Sequence, residues 1–513
     1  MKKTLLLITI ILLTVIASAS ASNSSDLIPP YHWTYHSLKV LSDKDLVNEK
    51  VIPGQSVYTK EQVAVIIITA MDKIRKDPSL MEENQLCSMR QLMNGYKKEL
   101  EFKGNNFIKM RTELENLAIA TNLKAMENPN GSNLKERPLS FEAVKSVNKF
   151  TFDIYRHLAA KNNDSLFISP YSISSALSMT YAGASGKTAL EMEHLLFLNP
   201  DIHRSMAALI DDINTVPSDT ALTKTANALW PAKDELLLES YSDKVKKYYG
   251  ASLTKLDYKN KTEEARATIN RWVGRKTEGK IENIIGQGIL NKDTSLVLTN
   301  AAYFKSEWMK KFEPQNSRAT SFNISPSESV QTIMMTKTDK EIKYLKESDF
   351  EIAEIPYKNN RFSMLIILPN KGLELASIES KLDYLKFSAW TVFMSPQKVR
   401  LTIPKFKTEQ NFELGDALTK MGMGSAFNPN EADFSGMNGK KNLHIGAVIH
   451  KTFLEVGEEG TEAAAATAVI ITKTSLGPQE DDFVEFKADR PFIYLIRDNL
   501  TGAILFIGRY TKP

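Results

Sequence analysis

Residues 459–472 read Glu459-Gly460-Thr461-Glu462-Ala463-Ala464-Ala465-Ala466-Thr467-Ala468-Val469-Ile470-Ile471-Thr472. The stretch opens acidic, runs through five alanines and ends β-branched. Alanine favours helix and is depleted in strands, whereas Val, Ile and Thr favour strands. One stretch thus argues both ways, and an ordinary alanine-rich helix is one reading of it.

The sequence around it bounds the answer. The chain has 513 residues, enough for two to four domains or one large core with additions. Hydrophobic residues make up 42% and charged residues 25%, the balance of a soluble globular protein. A net charge of +4 argues against a dedicated nucleic-acid binder. There is no zinc-type Cys/His spacing and no phosphate-cradling glycine loop, so the sequence calls for no metal or cofactor. Cys87 is the single cysteine, so no internal disulfide forms and the fold rests on its core.

Residues 1–21 read as an export signal: Lys2 and Lys3 are the charged start, Leu5 to Ile16 the apolar run, and Ala19-Ser20-Ala21 the cleavage site. An uncleaved N-terminal anchor is the alternative. No other segment reaches about 18 uncharged apolar residues, so the expected product has no transmembrane span and lies outside the cytoplasm. Residues 22–75 carry two helical patterns around a Pro53-Gly54 turn, the second with Thr59 as N-cap two residues before Glu61. Residues 76–125 are charged and helical, with Leu92, Tyr96, Leu100, Phe107, Met110, Leu114 and Leu117 at helical steps, and read as a spacer; "ENPNGSNLKERP" (127–138) is the linker that ends it at 138. Residues 139–513 place helical patterns first ("FEAVKSVNKFTFDIYRHLAA") and strand-like runs later ("FSMLIILP", "PFIYLIRD", "GAILFIGRY"). This uneven mixture predicts an α+β domain with largely antiparallel sheets.

Two resemblances follow from longer matches. Residues 22–75 resemble one S-layer homology (SLH) module, through Asp26 before the prolines, "HWTY" (32–35) and "YTKEQVAVII" (58–67). Lys60 stands where that family has arginine, and one repeat is present where three are common. The resemblance implies a small all-α module that binds cell-wall polymer, with Asp26, Trp33 and Lys60 as positions to test. Residues 139–513 resemble a complete serpin. The ordered matches include "LFISPYSISSALSMTYAGASGKTALEM" (166–192), "EEARATINRWVGRKTEGKIENII" (263–285, a helix exit and the strand after it) and "LVLTNAAYFKSEWMKKFEP" (296–314). Others are "IPKFKTEQNFEL", "ADFSGM", "IHKTFLEVGEEGTEAAAATA" and "ADRPFIYLIRDNLTGAILFIGRYTKP".

The second resemblance implies three β-sheets with surrounding helices and an exposed reactive loop. After a protease cuts the loop, it enters a pre-existing sheet as a new strand and traps the protease covalently. The protein is then a suicide substrate and not an enzyme. The hinge is Glu458, Glu459, Gly460, Thr461, Glu462 and Ala463 to Ala466. An entering strand needs small residues in its leading half; Ala463, Ala464, Ala465 and Ala466 supply them. Strand faces alternate. With Thr461 facing the core, Ala463, Ala465, Thr467, Val469 and Ile471 follow it inward, and Glu462 faces out. Gly460 is a permissive hinge. The resemblance also implies a shutter of Ser169, Ser172, Asn300 and His450. It implies a breach at Trp308, and an ion pair between Lys405 and Glu458.

The residue before the cut bond sets the target. Counting from Glu458 places the cut at Thr474-Ser475, which suits an elastase-like pocket; Lys473-Thr474, one residue earlier, suits a trypsin-like one. "SLGPQEDDF" (475–483) is longer than usual before "VEFKADRPF", which leaves both registers open. The expected partner is a serine protease, with a papain-like cysteine protease as a further class. No concentrated basic helix suggests a polysaccharide cofactor. The competing readings are a non-inhibitory binding protein on the same fold, a wall-anchored structural component, and a serine hydrolase built on Ser169, His450 and Asn300. Ser169 lacks the G-x-S-x-G elbow that the hydrolase would use.

Overall fold

The computed structural model describes residues 27–28, 33–48, 51, 58–80, parts of 85–117, 139–199, 201–216, 221–251, 253–461 and 483–513. The chain divides into two compact units, residues 1–135 with 388–393 and residues 136–387 with 394–513.

The first unit holds helices α1 (Trp33–Ser42), α2 (Lys60–Lys76) and α3 (Lys97–Phe102). Val63, Ala64, Ile67, Ala70, Met71 and Ile74 recur at three- and four-residue steps along α2 and are buried, as an amphipathic helix requires. Thr59 caps α2. Its hydroxyl accepts from the Gln62 amide at 3.2 Å, and the Gln62 side chain accepts from the Thr59 amide at 2.8 Å. Gln62 therefore completes the capping box, and Glu61 does not. Leu92, Tyr96, Leu100, Met110 and Leu114, expected along a spacer, are buried in the same apolar cluster as Leu38, Leu41 and the α2 residues. This stretch contributes to the core of the first unit, because its apolar side chains find the face of α2 that would otherwise stay wet.

In the second unit, α4 (Phe141–Ala159), α5 (Pro170–Tyr181), α6 (Gly186–Leu196), α7 (Ile202–Asn214) and α8 (Glu239–Tyr249) precede most of the strands. α9 (Tyr258–Lys276) follows, and residues 277–295 are turns and coil. The strand expected directly after α9 begins only at Leu296. α5 is buried from Pro170 to Thr180. Pro170 at its first position needs no amide partner, and Ser169 is its N-cap.

The strands are β1 (Leu166–Ile168), β2 (Leu222–Pro231), β3 (Leu296–Glu307), β4 (Arg318–Ser325), β5 (Glu328–Lys346), β6 (Phe350–Pro356) and β7 (Phe362–Pro369). They continue with β8 (Ser395–Pro404), β9 (Phe406–Glu413), β10 (Ala447–Val456), β11 (Gly460–Thr461), β12 (Val484–Lys487), β13 (Phe492–Asp498) and β14 (Ile504–Tyr510). By hydrogen bonding they make two sheets among the described residues. Nine strands run β1-β14-β13-β7-β6-β5-β8-β12, with β4 on β5. Three sheets were implied by the resemblance. Here β5 spans 19 residues, pairs with β4, β6 and β8, and so joins two of them into one. The register of β5 shifts between Asp339 and Ile342, an irregularity that bends a strand.

The second sheet has five strands in the order β2-β3-β11-β10-β9. Pairing is antiparallel except for β3 with β10, and for β12 with β8 in the first sheet. β3 and β10 pair directly over seven positions, Val297↔Ala447 to Tyr303↔Phe453. Above them the two strands part. β11 sits in the opening, with Gly460 opposite Glu307, Thr461 opposite Ser306, and Thr461 also opposite Val456.

Candidate functional site

The middle of the five-stranded sheet carries a buried polar chain in strict register. Asn227 on β2 lies opposite Asn300 on β3, and Asn300 lies opposite His450 on β10. The Ser169 amide donates to His450 Nε2 at 3.0 Å. That nitrogen therefore carries no proton, and Nδ1–H donates to Asn300 Oδ1. Asn300 Nδ2 donates in turn to Ser172 Oγ at 2.6 Å and to Asn227 Oδ1 at 2.5 Å. Ser172 Oγ donates to the same Asn227 oxygen at 2.9 Å. The Ser169 hydroxyl donates to the Leu505 carbonyl and accepts from the Ser172 amide. The four residues singled out from the sequence are thus brought together, and Asn227 joins them.

This geometry does not activate a serine. His450 faces the amide of Ser169, not its hydroxyl, and Ser169, Ser172, Asn300 and His450 are all buried. A nucleophilic serine needs the imidazole on its oxygen and an approach for substrate. The chain instead ties β3 to β10. A new strand between them must break the His450–Asn300 bond and all seven paired positions below the opening.

The second cluster surrounds that opening. The Trp308 amide donates to the Glu459 carbonyl, the Phe312 amide to the Glu458 carbonyl, and the Trp308 indole to the Gly457 carbonyl, each at 2.9 Å. Three successive hinge carbonyls are held by one short segment. The Trp308 ring stacks on Tyr357, centroids 4.4 Å apart and planes 9° apart. The Tyr357 hydroxyl lies 2.6 Å from Thr461 Oγ1, and Thr461 is 1% exposed. Gly460 is required here by close approach: a Cβ would stand 2.2 Å from the Ser306 carbonyl oxygen and 2.6 Å from Glu307 Cα.

Charged pairs flank the hinge. Lys405 Nζ meets Glu458 at 3.0 Å, and the Ser317 hydroxyl donates to the other Glu458 oxygen at 3.0 Å. Burial pushes the Glu458 carboxyl up, but the Lys405 ammonium and the Ser317 hydroxyl bring it below the usual carboxylate value. Lys311 bonds Glu459 and lies 3.5 Å from Glu307. The sequence pointed to Trp308, Lys405 and Glu458. It gave no sign of Tyr357, Phe312, Ser317 or Lys311, which reach the hinge only through the fold.

Glu462, Ala463 to Ala466, Lys473, Thr474 and Ser475 lie outside the described residues, as does Asp26. Trp33 opens α1 with its side chain outside them, and Lys60 is exposed at the first position of α2.

Comparison with known proteins agrees with this architecture. Residues 145–513 match the family described as Serpin (serine protease inhibitor), and the chain belongs to that family. It is 39% identical over 372 residues to the leukocyte elastase inhibitor of Xenopus laevis, covering 71% of this chain and 97% of that protein. It is 38% identical over 371 residues to human Serpin B8, with the same coverage. Among solved structures, Serpin48 of the insect Tenebrio molitor superposes with a TM-score of 0.65 at 31% identity, covering 72% of this chain and 98% of that one.

One buried and one half-buried histidine set an acid limit on the fold. Burial lowers His450 to about 3. Burial, with Lys244 adding repulsion, lowers His203 to about 4; its Nδ1 lies 2.6 Å from the Tyr249 hydroxyl. Below the unfolded value of about 6.5 the unfolded chain takes up protons that the folded chain does not. Stability is therefore lost as pH falls from about 6.5 toward these lowered values, at about 1.4 kcal/mol per pH unit for each histidine. Urea unfolding at pH 7 and pH 5 should show a loss of about 2–4 kcal/mol at the lower pH. An unchanged midpoint would mean that neither ring is held neutral.

Proposed function

We propose that this chain is a suicide-substrate inhibitor of a serine protease. The observation that carries the reading is the opening between β3 and β10, already entered by Gly460 and Thr461 above the seven paired positions. The uncharged run from Ala463 to Thr472, which opens with four alanines, suits continued entry as a strand, with Glu462 on the outer face. In this reading the protease serine oxygen attacks the carbonyl before the cut bond. The peptide bond breaks, the new amine takes a proton from the protease histidine, and an ester joins the two proteins. If the loop inserts before water cleaves that ester, the protease is carried along and its site deformed. Members of this fold that bind without inhibiting usually carry bulky, charged or proline residues in the inserting part of the hinge, where this chain has Ala463 to Ala466.

The N-terminal unit serves as an address in this proposal. A leader-like start at residues 1–21 sends the protein outside the cytoplasm, and the SLH-like segment holds it to wall polymer. No described helix is long and apolar enough to cross a membrane. Sedimentation with purified cell wall tests the address; a full-length chain that stays in the supernatant removes it.

Mixing the protein with pancreatic elastase and, separately, trypsin tests the inhibitor. The expected product is a complex that survives denaturing electrophoresis. The released C-terminal fragment should begin at Ser475 for an elastase-like target or Thr474 for a trypsin-like one. Cleavage by both proteases with no complex and no loss of protease activity would sink the reading for both classes.

A further inference from the structure

Behind Trp308 lies a charge that the insertion mechanism does not call for. Lys337, on β5, is 5% exposed. Its Nζ donates to the Lys310 carbonyl at 2.5 Å and stands 4.5 Å from the Phe312 ring centroid and 5.8 Å from that of Trp308. No carboxylate bonds it among the described residues. Asp339, on the same strand, attracts it from a distance but lies 3.8 Å from Lys310, whose own charge repels Lys337. On β8, Leu401 is opposite Lys337 and Arg400 is turned onto the Phe483 ring at 4.0 Å. On the hinge side the charges are already paired, Lys405 with Glu458 and Lys311 with Glu459 and Glu307.

The ammonium is thus buried against two ring faces and one carbonyl. Ring faces attract a cation, but less than water loses in giving it up. Burial accordingly brings Lys337 down to about 8, with Lys310 adding to the effect and Asp339 opposing it. The rings that cover Lys337 belong to the segment whose amides and indole hold the Gly457, Glu458 and Glu459 carbonyls. Freeing the hinge loosens that cover and lets water reach the ammonium. The state in which water reaches it is the state its proton favours.

We propose that Lys337 is a positioning residue whose buried charge weakens the grip on the hinge, so that the protonated side chain favours hinge release and parting of β3 from β10. This rests on the reading that the sheet opens to a new strand. It adds that the opening is set against pH by one lysine under the hinge seat.

The test uses the intact chain and an acetylated, amidated peptide of the sequence Thr461 to Thr472, which competes for the opening. Its rate of annealing is followed by native electrophoresis at pH 7 and pH 9.5, with no protease present. Wild type should anneal about three- to tenfold faster at pH 7, because protonation is lost across about pH 8. Lys337→Met, which keeps the length without the charge, should be slow at both values. Lys337→Arg, which stays charged throughout, should be fast at both and guards against a merely structural loss. A pH dependence that persists in Lys337→Met, or Met and wild-type rates that agree at pH 7, overturns the proposal. A rate that rises with pH also overturns it, since the charge would then grip the hinge through the rings. No annealing by any chain at either pH overturns it too; the covalent-complex assay then tells whether the inhibitor reading stands without it.

Discussion

On the proposed suicide mechanism, Thr461→Arg is expected to leave the chain a plain substrate. The target protease should cut the loop at a rate near that of wild type, while the denaturant-resistant complex disappears. The reason lies in the seat of residue 461, closed on both sides by β3 and β10 and below by Tyr357. A guanidinium there has no carboxylate to meet, and an uncompensated buried charge costs about 3–5 kcal/mol. At about 1.4 kcal/mol per tenfold, entry of the loop slows by roughly two to three orders of magnitude. Hydrolysis of the ester does not slow, so the partition moves to release of active protease. Thr461→Val is the control. It keeps the volume and the uncharged character, losing only the contact with the Tyr357 hydroxyl, at about 1 kcal/mol. Complex should still form with Val. The measurement is protease activity remaining against molar ratio of inhibitor, with gels of the same mixtures. A stable complex from Thr461→Arg would show that entry does not pass through this seat.

What could be read in the sequence follows from how local each constraint is. The hinge is legible because its demands are linear: a glycine at 460, small side chains at 463 to 466 and no charge from Ala463 to Thr472 follow one another along the chain. α4 is legible because its burial period is written in its own segment, and the strands β7, β13 and β14 because each is a short, nearly continuous apolar run. Ser169, Ser172, Asn300, His450 and Trp308 were reached through resemblance, each inside a long matching stretch. Asn227 was missed although it completes the same polar chain. It sits in "TKTANALWP", where nothing in the local pattern separates it from any exposed strand asparagine, and its partner Asn300 is 73 residues away. Tyr357 and Thr461 are 104 residues apart, and Ser317 and Glu458 are 141 apart. Such contacts are set by sheet register, which single-sequence reading does not supply. The joined sheet has the same origin: β5 joins it by pairing with β4, β6 and β8 along its 19 residues, a register that no single segment states. The stretch 76–138, expected as a helical spacer and linker, hides its partner for a different reason. Its apolar residues were read correctly as one face, but that face packs against α2.

The polar chain beneath the opening yields the other large effect. Asn300→Ala is expected to destabilise the resting fold by about 3 kcal/mol and to speed annealing of the Thr461–Thr472 peptide. The side chain of Asn300 accepts from His450 and donates to both Ser172 and Asn227. Its removal leaves the His450 Nδ1–H without an acceptor and takes from Ser172 and Asn227 the bonds they receive. Buried groups left unpaired cost about 1–3 kcal/mol each, and part of that is recovered where Ser172 and Asn227 keep their mutual bond. Ser172→Ala, by contrast, removes one hydroxyl while Asn300 and Asn227 still meet, and should cost about 1 kcal/mol. The difference between the two variants isolates the link across β3 and β10, since only Asn300 spans it. That link lies three positions below Tyr303 and Phe453, the last pair before the strands part. A strand entering from above meets it at the fourth of the seven paired positions, so its loss lowers the barrier to parting as well as the stability of the closed sheet. Urea unfolding measures the first effect and peptide annealing the second. Equal annealing rates for Asn300→Ala and Ser172→Ala, with the expected gap in stability, would mean that the polar chain supports the fold without controlling how the sheet opens.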